Sequence, residues 1–486
     1  MKRIIYTYIL LLMLPLSITS CKKFLEKEPV GRVSKGALFE DVNGAKVALV
    51  GSYRLMLDYK RTEFGMFGDV ASDNVISIAS ASNANSVMLE AFNFSHTADD
   101  AIRSSYYIWQ NIYATLNNVN NIINALDGLK IKYPGQVAQI EEIEGQALVM
   151  RAICFLDLSE VFAQPYNYTA DGSHLGIPIP TKTPSPGAAV PRATIKETYD
   201  QILSDLNTSL PYLVKYKNGG DQALISYQAA LGLLSRVYLY KGDWENCVKT
   251  ADMVISDNKY RLANATEYKQ VFNTYPASTG SNASVKIETL FHLSGSGIEK
   301  VNAKEIISVF SSPSIAQYAA SSKLVGMFKP DDIRLSSMFK NVGPNFISNK
   351  YGEIEFAKTQ AYVVKVIRLS EVYLNRAEAK WNLKEYSEAA ADLKIISQRA
   401  HTGTIDPIVE TPAVLYQAIA DERNRELCFE GHRLFDIVRR KENLQRGSDC
   451  NATVCTLNYP NNKFILPFNT RELEANPALK QNPGYN

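Results

Sequence analysis

The stretch IRLSEVYLNRAEAKWNLKEYSEAAADLKII, residues 367–396, holds apolar residues at spacings of three and four on both sides of a turn. That period predicts two amphipathic helices folded into a hairpin, because side chains three and four residues apart share a helix face. The plan occurs twice. Ala229, Leu233, Val237 and Tyr240 share a face, Gly242-Asp243 makes a turn, and WENCVKTADMVI resumes the period from Trp244. Tyr386 stands where Trp244 stands, and Ala389-Ala390 where Cys247-Val248 does.

Small residues at the crossing, an aromatic after the turn and a unit of roughly 34 residues resemble tetratricopeptide repeats. Such units bury their apolar stripe only against neighbours, so at least three are expected. The helix near residues 141–163, with Ile143, Ala147, Met150, Cys154, Leu158 and Val161 on one face, and another near 106–126 are the natural supply. Long insertions disperse the units. Residues 164–192 are rich in Pro, Gly and Thr, and residues 276–350 mix Ser, Gly, Asn and Pro with strand-like runs such as IETLFHL. Long ordered loops in a compact protein are usually functional, so a ligand site is expected among them. The fold class is therefore mainly α, a scaffold of TPR-like helical hairpins with an irregular, loop-rich ligand-binding subdomain and a few short strands.

The chain opens as an export signal. Lys2 and Arg3 form the positive region, residues 4–18 an apolar run, and Thr19 and Ser20 the small residues that a signal peptidase requires. The run is too short to span a bilayer, and Lys22 and Lys23 follow at once. Ile18-Thr19-Ser20-Cys21 resembles a bacterial lipobox, which implies that Cys21 becomes the lipidated first residue of the mature chain. Each buried methylene contributes about 0.8 kcal/mol, so two or three acyl chains anchor durably. With Lys2 and Arg3 removed, cationic and anionic residues are equal in number. No long basic run occurs, so neither nucleic-acid binding nor adhesion to acidic lipid by charge is favoured. Cys154, Cys247 and Cys428 lie in apolar helical patterns and read as buried thiols, whereas Cys450 and Cys455 are close enough for a local disulfide that the export compartment permits.

In order along the chain, SKGALFEDVNGAKVALVGSYRLM, FGMFGDVASDNV, WQNIYATLNNVNNII, EGQALVMRAICFLDLSEVFAQPY, VIRLSEVYLNRAEA, ERNRELCFEGHRLFDIVRR and FILPFNTRELEANPALKQNPGY resemble the blocks of the SusD/RagB family of outer-membrane nutrient-binding lipoproteins. The resemblance covers nearly all of the chain. It implies a signal peptide over 1–20, an N-terminal SusD-like region over 21–215 and a C-terminal SusD/RagB region over 216–486. It also implies polysaccharide utilization without catalysis or a cofactor: a lipoprotein of the outer membrane, facing the cell exterior, that binds oligosaccharides or related nutrients and delivers them to a SusC-like TonB-dependent transporter, acting as its lid.

The residues themselves offer platforms for such capture. Tyr contributes 27 residues and Trp three, and both present an apolar face to sugar C–H groups and a polar edge to hydroxyls. Tyr106 and Tyr107 open a helix after a polar loop, and Tyr318 belongs to a Ser-rich insertion, so all three are candidate ligand contacts. Trp109 is a fourth, although its series with Ile112, Leu116, Val119 and Ile123 also reads as core. Asp73 and Asn74 could hold sugar hydroxyls, or shape a turn. Glu426 and Glu430 share a helix face, whereas glycosidase carboxylates oppose each other across a sugar. With Arg423, Arg425, Arg433 and Arg439 interleaved, they read as a helical salt-bridge lattice. Histidines 96, 174, 292, 401 and 432 are scattered, and no His-Glu-x-x-His, Cys-x-x-Cys or phosphate loop occurs, so no metal or nucleotide site is expected. The rival readings are an extracytoplasmic helical glycoside hydrolase and a structural TPR adaptor of an envelope complex.

Overall fold

The computed structural model describes residues 34–78, 87–99, 104–185, 187–215, 221–273, 286–294, 301–352 and 363–485. The leader and Cys21 lie outside the described residues.

The principal helices form an antiparallel series. They are α1 (Val42–Lys60), α2 (Glu63–Val70), α3 (Ser104–Lys132), α4 (Val137–Phe162), α5 (Ile195–Leu213), α6 (Tyr227–Lys241), α7 (Trp244–Ile255), α8 (Leu369–Asn382), α9 (Tyr386–Arg399), α10 (Pro412–Leu427) and α11 (Arg433–Arg439). Helix α3 packs on α1 and α4, α4 on α5, α5 on α6, α6 on α7, α7 on α8 and α8 on α9. Each pair thus buries its stripe against the next, as a TPR-like scaffold requires.

Local chemistry sets the ends. Thr194 and Glu197 form a reciprocal capping box on α5. Ser226 caps α6, which ends at Gly242 with φ +79°, a left-handed position that glycine adopts without a Cβ penalty, and Asp243 then caps α7. The second hairpin makes the same turn with Lys384 at φ +66°. At the crossing, Cys247 is fully buried and its thiol donates to the Ser235 carbonyl at 3.2 Å. Ala389 is likewise fully buried at the equivalent position. Cys154 and Cys428 are also buried and free, and Cys450 is bonded to Cys455.

The strands are short and pair two by two. Strand β1 (Val75–Ser77) pairs antiparallel with β3 (Tyr318–Ala320), β2 (Thr289–Ser294) with β6 (Val363–Arg368), and β4 (Phe339–Val342) with β5 (Asn345–Ser348). One large apolar cluster draws on residues from Val42 to Leu479, and a smaller one of Ala377, Ala389, Ala390, Leu393, Leu415 and Ile419 closes the last hairpin.

A charged lattice runs through this core, and it differs from the expected lattice on one helix. Helix α10 ends at Leu427, so Glu430 lies beyond it. Glu426 meets Arg334, Arg368 and Arg399 at 3.1, 2.9 and 2.7 Å. Glu430 meets Arg368 and Lys350 at 2.7 and 2.6 Å. Burial raises the cost of both charges, but the surrounding cations outweigh it and hold both carboxyls below their ordinary range. Arg423 pairs with Asp436, and Arg439 with Glu378 and Asp436. These are contacts across the chain, where removing one partner costs about 3–5 kcal/mol because the other charge stays buried.

Candidate functional site

Four of the six candidate ligand residues are buried in structural positions. Tyr318 is 0% exposed on β3, its hydroxyl donating to the Val87 carbonyl at 2.9 Å and its ring 5.4 Å from that of Phe92. Its place in a Ser-rich insertion suggested a loop, but pairing with β1 carries it into the core. Trp109 is 7% exposed, with Nε1 donating to Glu472 at 3.0 Å and its ring against Tyr113, Phe162 and Phe468. The helical spacing had already pointed to core.

Asp73 and Asn74 are 2% and 1% exposed and belong to a latch between chain-distant segments. Asp73 takes Arg433 at 2.7 Å and Lys323 at 2.8 Å. Burial would raise its carboxyl, but those two cations outweigh it and hold it at about 2. Asn74 donates to Asp69 at 3.1 Å, and Asp69 accepts the backbone N–H groups of Phe429 and Gly431 at 2.9 and 2.6 Å. The two segments approach so closely that a Cβ on Gly68 would lie 1.9 Å from the Gly431 carbonyl oxygen.

Tyr106 and Tyr107 remain half-buried on the first turn of α3, ring to ring at 5.6 Å. Arg471 lies 5.9 Å from the Tyr106 ring. Tyr107 faces a cleft of about 310 Å³, shared with Asn111 one turn along α3, with Asp58, Arg61, Thr62 and Glu63 where α1 gives way to α2, and with Asn302, Lys304 and Glu305. That volume lies at the small end of the range for ligand clefts.

Long-range contacts assemble this cleft. The Ile306 N–H donates to the Arg61 carbonyl at 2.8 Å and joins the two charged segments. Arg61 binds Asp58 at 2.8 Å and lies 3.8 Å from Glu305. Thr62 donates to the Asp58 carbonyl at 2.7 Å, while Asn302 accepts from the Lys304 N–H and gives its own N–H to Glu305. Burial pushes the Glu63 carboxyl up. The cleft thus offers carboxylates that accept, cations that donate, side-chain amides that do both and one aromatic ring, a set suited to hydroxyl groups, which also donate and accept. Asp58, Arg61, Thr62, Glu63, Asn111, Asn302, Lys304 and Glu305 had not been singled out from sequence. The only signal was the charged run DYKRTE between two helical periods and the placement of Asn111 four residues after Tyr107. Among the described residues no group of three or more His, Cys, Asp or Glu is placed to hold a metal ion.

Two family models match this chain. One, described as the SusD family, matches residues 337–485, and the other, described as starch-binding associating with outer membrane, matches residues 48–239. SusD-like protein P38 of Formosa agariphila is 22% identical over 538 residues, covering 100% of this chain and 99% of that one. A SusD superfamily protein from Bacteroides thetaiotaomicron superimposes with a TM-score of 0.80 at 24% identity, over 91% of this chain and 100% of that one. A laminarin-binding SusD-like protein superimposes with a TM-score of 0.72 at 20% identity, over 91% of this chain and 99% of that one. The helical scaffold is therefore the one seen in those structures, and the two family models together match more than half of the residues. The latch between Asp69–Asn74 and 429–433 binds a segment of one match to a segment of the other, and the chain is a SusD-like family protein.

Proposed function

We propose that this protein binds oligosaccharides non-covalently in the Tyr107 cleft and delivers them, as a lid, to a TonB-dependent outer-membrane transporter of the SusC type. Cys21 carries the lipid that tethers it, with the binding face toward the cell exterior. The observation that carries the proposal is the half-buried Tyr107 ring beside a cluster of hydrogen-bonding groups, in a chain whose family is described as starch-binding associating with outer membrane. The laminarin-binding SusD-like protein supports a glycan as the ligand class. A lipid tether suits a lid, because it keeps the effective concentration beside the barrel high without fixing an angle.

Binding without hydrolysis fits the carboxylates. Glu426 and Glu430, which as a pair invited comparison with a glycosidase, are enclosed by guanidinium groups and held ionised, whereas a general acid needs a raised pKa. The test is affinity gel electrophoresis of the detergent-solubilised protein against starch, laminarin and a panel of other glycans and peptides, each ligand checked afterwards for cleavage. Retardation by an intact glycan, reduced by Tyr107→Ala, is the expected result. Retardation with new reducing ends would establish the hydrolase instead. Binding to envelope proteins with no glycan retardation would establish the adaptor.

A further inference from the structure

We propose that a second cleft, between the two helical hairpins, is a saccharide site selective for sugar residues that carry a negative charge, whether a carboxylate or a sulfate ester. This rests on the glycan-binding reading. The cleft, about 330 Å³, lies where the Gly242 turn of the first hairpin meets the end of α8 and the start of α10, and two of the chain's three tryptophans line it. Trp244 and Trp381 are half-buried, so each leaves ring surface accessible. Trp381 is held in place: its Nε1 donates to the Pro412 carbonyl at 2.7 Å and its ring lies 4.7 Å from that of Tyr416. Fixed aromatic walls have little rotamer entropy left to lose on binding.

Two enclosed donors in this cleft lack a protein acceptor. Arg440 gives Nε and Nη2 to Glu378, but its Nη1 has no partner, and neither has the hydroxyl of Tyr240, whose ring lies under the Arg439 guanidinium at 5.1 Å. A shielded donor without an acceptor costs free energy that a ligand oxygen would relieve. The charges select the kind of oxygen. Arg439, Arg440 and Lys441 line the cleft against one carboxylate, Glu378, with Asp436 behind it on Arg439. At the Tyr107 cleft the balance is reversed, with Asp58, Glu63 and Glu305 against Arg61 and Lys304. Acidic sugars are therefore repelled from one cleft and drawn to the other. An extended peptide is a poorer fit, because each side-chain amide that would grip its backbone already spends one of its two N–H donors: Asn167 donates to the Arg439 carbonyl and Asn382 to that of Glu378.

The test is isothermal titration and tryptophan fluorescence of the detergent-solubilised protein with trigalacturonate, a sulfated galactan tetrasaccharide and neutral laminaritriose. Trp109 is locked in the core, so a ligand-induced change in emission reports Trp244 and Trp381. The expected result is binding of at least one acidic probe with an emission change, weakened about tenfold by Trp381→Ala and about threefold by Lys441→Glu, an exposed position whose substitution leaves the core intact. Whether trigalacturonate, the sulfated probe or both bind tells the two sources of charge apart. The inference is overturned if acidic probes bind but respond to Tyr107→Ala and to neither hairpin variant, if only neutral glycan binds, or if only peptides perturb Trp244 and Trp381. Failure of every glycan, neutral and acidic, would overturn the glycan-binding reading as well.

Discussion

Replacing Asp73 by Asn separates a structural role from a ligand-binding one. The carboxylate is buried between Arg433 and Lys323, and its pKa is held at about 2 in the folded protein against 3.8 ordinarily. At about 1.36 kcal/mol per unit, that difference is worth about 2 kcal/mol of folding stability. Because the folded value is the lower one, the contribution is complete above the ordinary pKa and fades as pH falls from about 4 toward 2. Asp73→Asn should therefore lower the free energy of unfolding in urea by about 2 kcal/mol at pH 7. The gap between parent and variant should narrow below pH 4 and close near pH 2. Glycan affinity, measured at pH 7 on the folded variant, should be unchanged, since neither atom of the pair lines either cleft. A stability difference independent of pH would refute the ion-pair account. Loss of glycan binding from a variant as stable as the parent would restore Asp73 as a ligand contact.

Tyr107→Ala should weaken glycan binding about fivefold, the worth of one aromatic contact near 1 kcal/mol, and leave the thermal midpoint within a degree or two, because the ring is only half-buried; titration calorimetry and a melting curve check both parts. Lys384→Gly should stabilise the protein by about 1 kcal/mol, since Lys384 holds the left-handed conformation that Gly242 holds in the equivalent turn, and urea unfolding reads it. Cys21→Ala should move the protein from the membrane to the soluble fraction and abolish labelling with a fatty-acid analogue, and retained acyl labelling would refute the lipid attachment.

The two hairpins were legible because a helical period is local. Trp244 and Tyr386, or Cys247 and Ala389, keep equivalent places in their units whatever lies between them, and the packed series α6 to α9 realises that spacing. The turn between α8 and α9 was less legible, since Lys384 adopts the Gly242 geometry without being glycine. Site residues failed for a different reason. Asp73, Asn74 and Trp109 belong to motifs prominent in the sequence and Tyr318 to a Ser-rich insertion, and three of the four side chains hold chain-distant pieces together: Asp73 to Arg433, Trp109 to Glu472, Tyr318 to Val87. Prominence of that kind marks assembly. A latch works by being buried, and a group enclosed in the core is out of a sugar's reach. The cleft residues are the converse case. Asp58, Arg61 and Glu63 meet Asn302, Lys304 and Glu305 where the backbone bond from Ile306 to Arg61 and the approach of Arg61 to Glu305 join the two segments, contacts no local period encodes. Ligand selectivity in this protein is then a matter of which short charged segments the scaffold brings face to face, and it can change without disturbing the period that builds the scaffold.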